Sequence, residues 1–122
     1  MGSETELGWA SMQWAVSSST RGPVGRPAGD IGVDEREPFL AYLRDGVAMA
    51  AAGEKELVID LAGVEHISAS ALMALTIVRK EAISSNVKIV LARPNPEIRE
   101  VLEISRYQLI FDIIDDLEFD GG

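Results

Sequence analysis

Apolar residues along this chain fall into short runs that alternate between two periods. From Pro38 to Ala52, residues Phe39, Leu43, Val47, Ala50 and Ala51 recur at the spacing of one helix face. Pro38 suits a first helical turn, and Gly53 suits the left-handed residue beyond the last one. Ser70 to Ser84 repeats the pattern, with Leu72, Leu75, Arg79 and Ile83 along one line and Ala71, Ala74, Val78 and Ala82 along another. A shorter helix announces its own start. Asn95 caps free backbone N–H groups, Pro96 fills the first position, and Glu97 faces the positive end of the helix dipole. Ile98, Val101 and Leu102 form its inner face.

Between these helices lie the runs Glu56–Leu61 and Val87–Leu91, apolar almost throughout, as in strands covered on both faces. Leu109–Ile114 reads as a last strand. Near the beginning, Trp9, Met12, Trp14 and Val16 alternate with small or polar residues, the pattern of a half-buried strand. A turn-like stretch, Ser17 to Pro23, then leads to a second short strand around Val24. Pro23 and Pro27 lack ladder donors, which predicts a place at the sheet edge. The expected order is strand pair, helix, strand, helix, strand, helix, strand. Right-handed crossovers then give an α/β domain with a mostly parallel or mixed sheet. Residues 1–8 read as a disordered, tag-like segment, 9–116 as one domain, and 117–122 as an acidic tail.

Composition narrows the chemistry. The 122 residues are 47% hydrophobic and 25% charged, enough for one packed core. With no cysteine and a single histidine, His66, neither a thiolate metal site nor a Cys–His pair can be assembled, so no metal and no cofactor is expected. Twenty acids against eleven bases leave a net charge of −9, which disfavours nucleic acid and anionic membranes as partners. No apolar run approaches the roughly 20 residues of a membrane span, and no signal peptide is evident. The expectation is a cytoplasmic protein without membrane insertion. No set of nucleophile, base and oxyanion donors emerges, so the chain reads as a binding protein and not an enzyme.

Function in α/β sheets tends to gather at the carboxyl ends of strands and the helix starts facing them. Here that place is Ala62–Ser70, read as a loop with Ser68 and Ser70 at its end. One serine is accounted for as a helix N-cap. The stretch lacks both the glycine pattern and the lysine of a nucleotide-binding loop.

From about Gly29 to Asp116 the chain resembles STAS domains, the fold of bacterial anti-sigma factor antagonists. The resemblance rests on Gly29-Asp30-Ile31, Leu57-Val58-Ile59-Asp60-Leu61, Gly63-Val64 with Ile67-Ser68-Ala69-Ser70-Ala71-Leu72, Pro94-Asn95-Pro96 with Val101-Leu102-Glu103-Ile104, and Ile110-Phe111-Asp112-Ile113, in that order. It implies a four- to five-stranded mixed sheet with helices packed mainly on one face. In the family the second helix usually opens Asp-Ser-Ser-Gly-Leu, and a partner kinase phosphorylates the second serine. Ser68 then stands at the aspartate, Ala69 at the first serine, Ser70 at the acceptor and Ala71 at the glycine. Ser68 is the alternative acceptor.

The resemblance thus implies an anti-sigma factor antagonist that binds an anti-sigma factor or serine kinase and is released by phosphorylation. The alternative is an unphosphorylated scaffold subunit of a stressosome-like or lipid-transport assembly. Partner contacts are expected from Asp30, Glu65, His66, Ser68, Ala69, Ser70, Ala71, Met73 and Ile77. On composition alone Met73 and Ile77 suit the core better than a contact surface, and His66 suits an exposed loop. A homodimer is left open.

Overall fold

The structure, a computed structural model, describes residues 12–115. The expected segment 1–8, the start of the first strand at Trp9 and the tail 117–122 lie outside these residues. The elements are β1 (Met12–Ser18), β2 (Pro23–Ile31), α1 (Arg36–Gly53), β3 (Leu57–Asp60), β4 (Gly63–Ile67), α2 (Ala69–Ser84), β5 (Ile89–Ala92), α3 (Pro96–Ile104) and β6 (Asp112–Ile114), with 3-10 turns at Val33–Glu35 and Tyr107–Leu109. They form one mixed sheet of six strands in the order β1-β2-β3-β5-β6, with β4 also paired to β2. Only the β1–β2 pair is antiparallel.

The expected hairpin is present, but β2 is interior and not at the edge. β1 lies on one side of it, while β3 and β4 lie on the other. Its prolines are accommodated by position. Pro23 opens the strand, where a missing donor costs least. Pro27 falls between Gly25, which pairs with Ile59, and Ala28, which pairs with Gly63, where the parallel ladder is interrupted. The hairpin turn is closed by bonds between Ser19 and Gly22. Gly22 has φ +149°, and a Cβ there would come within 1.9 Å of the Glu56 carbonyl, so glycine is required.

A sixth strand appears where a loop was expected. β3 and β4 both run parallel to β2 and are in effect one strand with a surplus residue. Three residues, Asp60 to Ala62, stand opposite Arg26 and Pro27, and pairing resumes at Gly63. The boundaries of α1 also shift. Gly53 is its last helical residue, and Glu54 takes the left-handed cap at φ 56°. The apolar run Leu109–Ile114 is only partly a strand, because Leu109 belongs to a 3-10 turn and Phe111 turns into the core.

Leu57, Ile59, Ile89 and Leu91 face one continuous core with Phe39, Leu43, Ala74, Leu75, Ile98 and Leu102, so all three helices cover the same face of the sheet. The opposite face holds a small strand-only cluster, Val24, Val58, Val90 and Ala92. Asp60, two residues after Val58, is almost fully buried there. Its carboxylate accepts from Arg26 at 2.8 Å, from Arg93 at 2.7 and 3.2 Å, and from the Ala62 backbone N–H at 3.1 Å. The bond to Asp60 holds the Arg93 guanidinium above its ordinary pKa. The backbone bond clamps the bulge between β3 and β4, and two arginines join it.

Candidate functional site

The second half of β2 and β4 end side by side, and α2 begins where they stop. Ser68 is the only residue between β4 and α2, and its backbone N–H donates to the Ile31 carbonyl at 2.9 Å. Extended at φ −79° and ψ 162°, Ser68 is the N-cap, with Oγ accepting from the Ala71 backbone N–H at 3.1 Å. That assigns the capping role and leaves Ser70 outside it. Ser70 is half-buried in the first turn of this 16-residue helix, its hydroxyl 3.2 Å from the Ser68 hydroxyl.

Around the two serines the expected contact residues divide. Asp30, Glu65, His66, Ala69 and Met73 are exposed, Met73 by 56%. Ile77 is half-buried against the core. Ala71 is fully buried, so it does not belong to a contact surface, and its methyl does not crowd the approach to Ser70. An alanine in place of glycine is therefore absorbed by the core, with no cost at the surface.

Asp30, Glu65 and His66 place one ligand-type atom each within 4.8 Å of one another. His66 Nδ1 lies 2.9 Å from Asp30 Oδ1, and Nε2 lies 3.8 Å from Glu97 Oε2. Glu97 was read from the sequence only as a helix-start residue. It reaches this patch because Asn95 does two jobs: its side-chain oxygen caps α3 through Ile98 N–H at 2.7 Å, and its amide donates to the Val64 carbonyl of β4 at 3.0 Å. Without knowing that 63–67 is a strand, no signal in the sequence joins Glu97 to His66.

The hydrogen bond to Asp30, and then the charges of Asp30, Glu97 and Glu65, raise the His66 pKa above its usual value near 6.5. Any stability this adds is complete below the unfolded-state pKa and is lost as pH rises through the higher folded value. Because the chain has one histidine, its ring proton resonances are unambiguous. An NMR titration is expected to give a midpoint above 6.5, and Asp30→Asn to bring it back down. A midpoint unmoved by that substitution would contradict the geometry.

The profile of the STAS domain family matches residues 40–119. The STAS-domain containing protein PA14_20770 of Pseudomonas aeruginosa is 34% identical over 85 residues, covering 68% of this chain and 84% of that protein. BtrV of Bordetella bronchiseptica, provisionally named an anti-sigma factor antagonist, is 33% identical over 66 residues, covering 54% of this chain and 57% of its own. Among solved structures, the anti-sigma factor antagonist SpoIIAA in its unphosphorylated form superposes with a TM-score of 0.65 at 16% identity, covering 89% of this chain and 94% of that one. SpoIIAA of Bacillus in its phosphorylated form gives 0.61 at 15% identity, covering 89% and 96%. The chain belongs to the STAS domain family, and its fold is that of the anti-sigma factor antagonists. Among the described residues, no helix is long and apolar enough to cross a membrane.

Proposed function

We propose that this protein is an anti-sigma factor antagonist that binds an anti-sigma factor with serine kinase activity and is switched by phosphorylation of Ser70. The reading rests on a division of labour between two hydroxyls. Ser68 is committed to the backbone as the N-cap, while Ser70 sits in the first helical turn among exposed, uncharged Ala69 and Met73. A helix N-terminus tolerates added negative charge, so the free protein can carry a phosphate there. The relative SpoIIAA has been solved both with and without phosphate. Asp30, Glu65, His66 and Met73 form the rest of the docking surface, and ATP and metal belong to the partner.

The test is to incubate the protein with the cognate kinase and ATP, then read intact mass and the modified peptide. One phosphate, mapped to Ser70, with loss of partner binding, is expected. Stable binding with no added mass would instead indicate the scaffold role. The 3.2 Å contact between the Ser68 and Ser70 hydroxyls, in which either can donate, ties Ser70 to its neighbour and is the observation that favours that second reading.

A further inference from the structure

The two edges of the sheet are built differently. β6 is three residues long, with Asp112 paired to Lys88 and Asp115, just beyond it, paired to Arg99. Brevity and charge are the usual means by which a sheet edge avoids recruiting another strand. β1 has neither. Met12–Ser18 is seven residues without charge or proline, paired to β2 in unbroken register. Among the described residues nothing pairs with its outer side.

The helix-facing side of this edge is apolar and firmly held. Trp14 stacks on Tyr42 of α1, with ring centroids 5.1 Å apart and planes 4° apart, and meets Phe39 edge-on at 6.4 Å. Its ring lies over Gly25, where a Cβ would approach within 2.5 Å. Val16 and Met49 continue the strip, each about half exposed. Arg26, opposite Ala15 on β2, directs its guanidinium to Asp60 and Ser17. Rigid aromatic anchors beside unpaired backbone groups are what a strand-to-strand contact requires.

We propose that β1 is the seam of a symmetric homodimer, in which a second copy adds its own β1 antiparallel and the two sheets become one. Symmetry points to a second copy as the occupant, and the strand's lack of charge permits it. Each chain carries −9, which opposes self-association, but β1 itself contributes no charge to a seam built on it. An antiparallel strand edge is also self-complementary about a twofold axis. With the axis at Ala15, Trp14 faces Val16 of the second copy, Gln13 faces Ser17, and Met12 faces Ser18. The large apolar partners then lie on the helix side, with Tyr42 and Met49 of both α1 helices flanking the seam, and the two Ala15 methyls meet on the other face. Ser70, at the carboxyl ends of β2 and β4, stays clear of it in both copies. The dimer therefore goes beyond the switch proposed above and does not depend on it.

Sedimentation equilibrium of the full chain is expected to show a monomer–dimer equilibrium across a series reaching the hundred-micromolar range. Val16→Lys and Val16→Glu should each weaken dimerisation by more than about tenfold, because each sets a charge against Trp14 of the second copy and two like charges on the diagonal across the axis. An equimolar mixture of the two variants should restore it. Ile83→Lys, an exposed change on α2, should leave it intact. At concentrations where the parent is monomeric, far-UV circular dichroism and melting temperatures of all variants should match it, separating lost association from lost fold. Wild-type protein that stays monomeric throughout, a dimer that survives both Val16 variants, or a mixture that fails to re-associate would each overturn the proposal.

Discussion

Replacing Arg26 and Arg93 together by methionine is expected to destabilise the fold by about 3–5 kcal/mol. The Asp60 carboxylate is only 4% exposed and would keep a single donor, the Ala62 backbone N–H. A buried carboxylate stripped of its cations bears the full cost of its desolvation. The reverse change should be milder. In Asp60→Ala the two guanidinium groups, 42% and 39% exposed, can turn to water, and the loss should be about 1–2 kcal/mol. Adding Asp60→Leu to the double variant should recover most of the stability, because a well-packed apolar replacement of a buried ion pair is often neutral. Urea unfolding of the four proteins checks this ordering. If Asp60→Ala cost more than the double arginine change, Asp60 would be acting mainly through the β3–β4 bulge and not through its cations.

Elements are legible in the sequence where several local signals agree, and hidden where tertiary pairing decides. Asn95-Pro96-Glu97 announced α3 because each residue fits one position in a helix start for a separate reason, and all three agree. β3 and β5 were visible because both faces of those strands are buried, which leaves little room for polar residues. β4 was not visible. It is five residues long, begins with an exposed glycine and follows a bulge, so its local signals are those of a loop. Only pairing with β2 makes it a strand, and that pairing is set by tertiary contact. For β2 the error ran the other way. Two prolines argued for an edge, but the interrupted ladder at Arg26 and Pro27 gave Pro27 an interior place that the sequence could not reveal.

The candidate site was legible to a similar depth. Ser68 and Ser70 could be placed at a helix start from spacing, but not told apart until the N-cap geometry showed which hydroxyl the backbone uses. The inward direction of the Ala71 methyl depends on where α2 sits on the sheet. The four-residue grouping of Asp30, Glu65, His66 and Glu97 depends on β2, β4 and α3 ending at one place. Sequence distance hides such a grouping completely.

Phosphorylation of Ser70 is expected to lower affinity for the anti-sigma partner by two or more orders of magnitude, about 3 kcal/mol. The asymmetry between the free and bound states carries this figure. In the free protein the phosphate sits in the first turn of α2, where the helix dipole contributes about 0.3–1 kcal/mol in its favour, so the melting temperature should change little. In the complex it would add about −1.5 to −2 charges among Ala69 and Met73, side chains that docking removes from water. Asp30, Glu65 and Glu97 lie on the same end of the sheet, with His66 as the counter-charge among them. Ser70→Asp brings one charge on a shorter arm and should weaken binding by about tenfold, less than the phosphate does. Ser70→Ala should bind and resist the kinase. Ser68→Ala should lose about 1 kcal/mol of helix stability with its cap yet still accept phosphate at residue 70. Calorimetric titration with the partner, alongside mass mapping, reads all four. Phosphate found on Ser68, or a modified protein that binds as tightly as the unmodified one, would defeat the assignment.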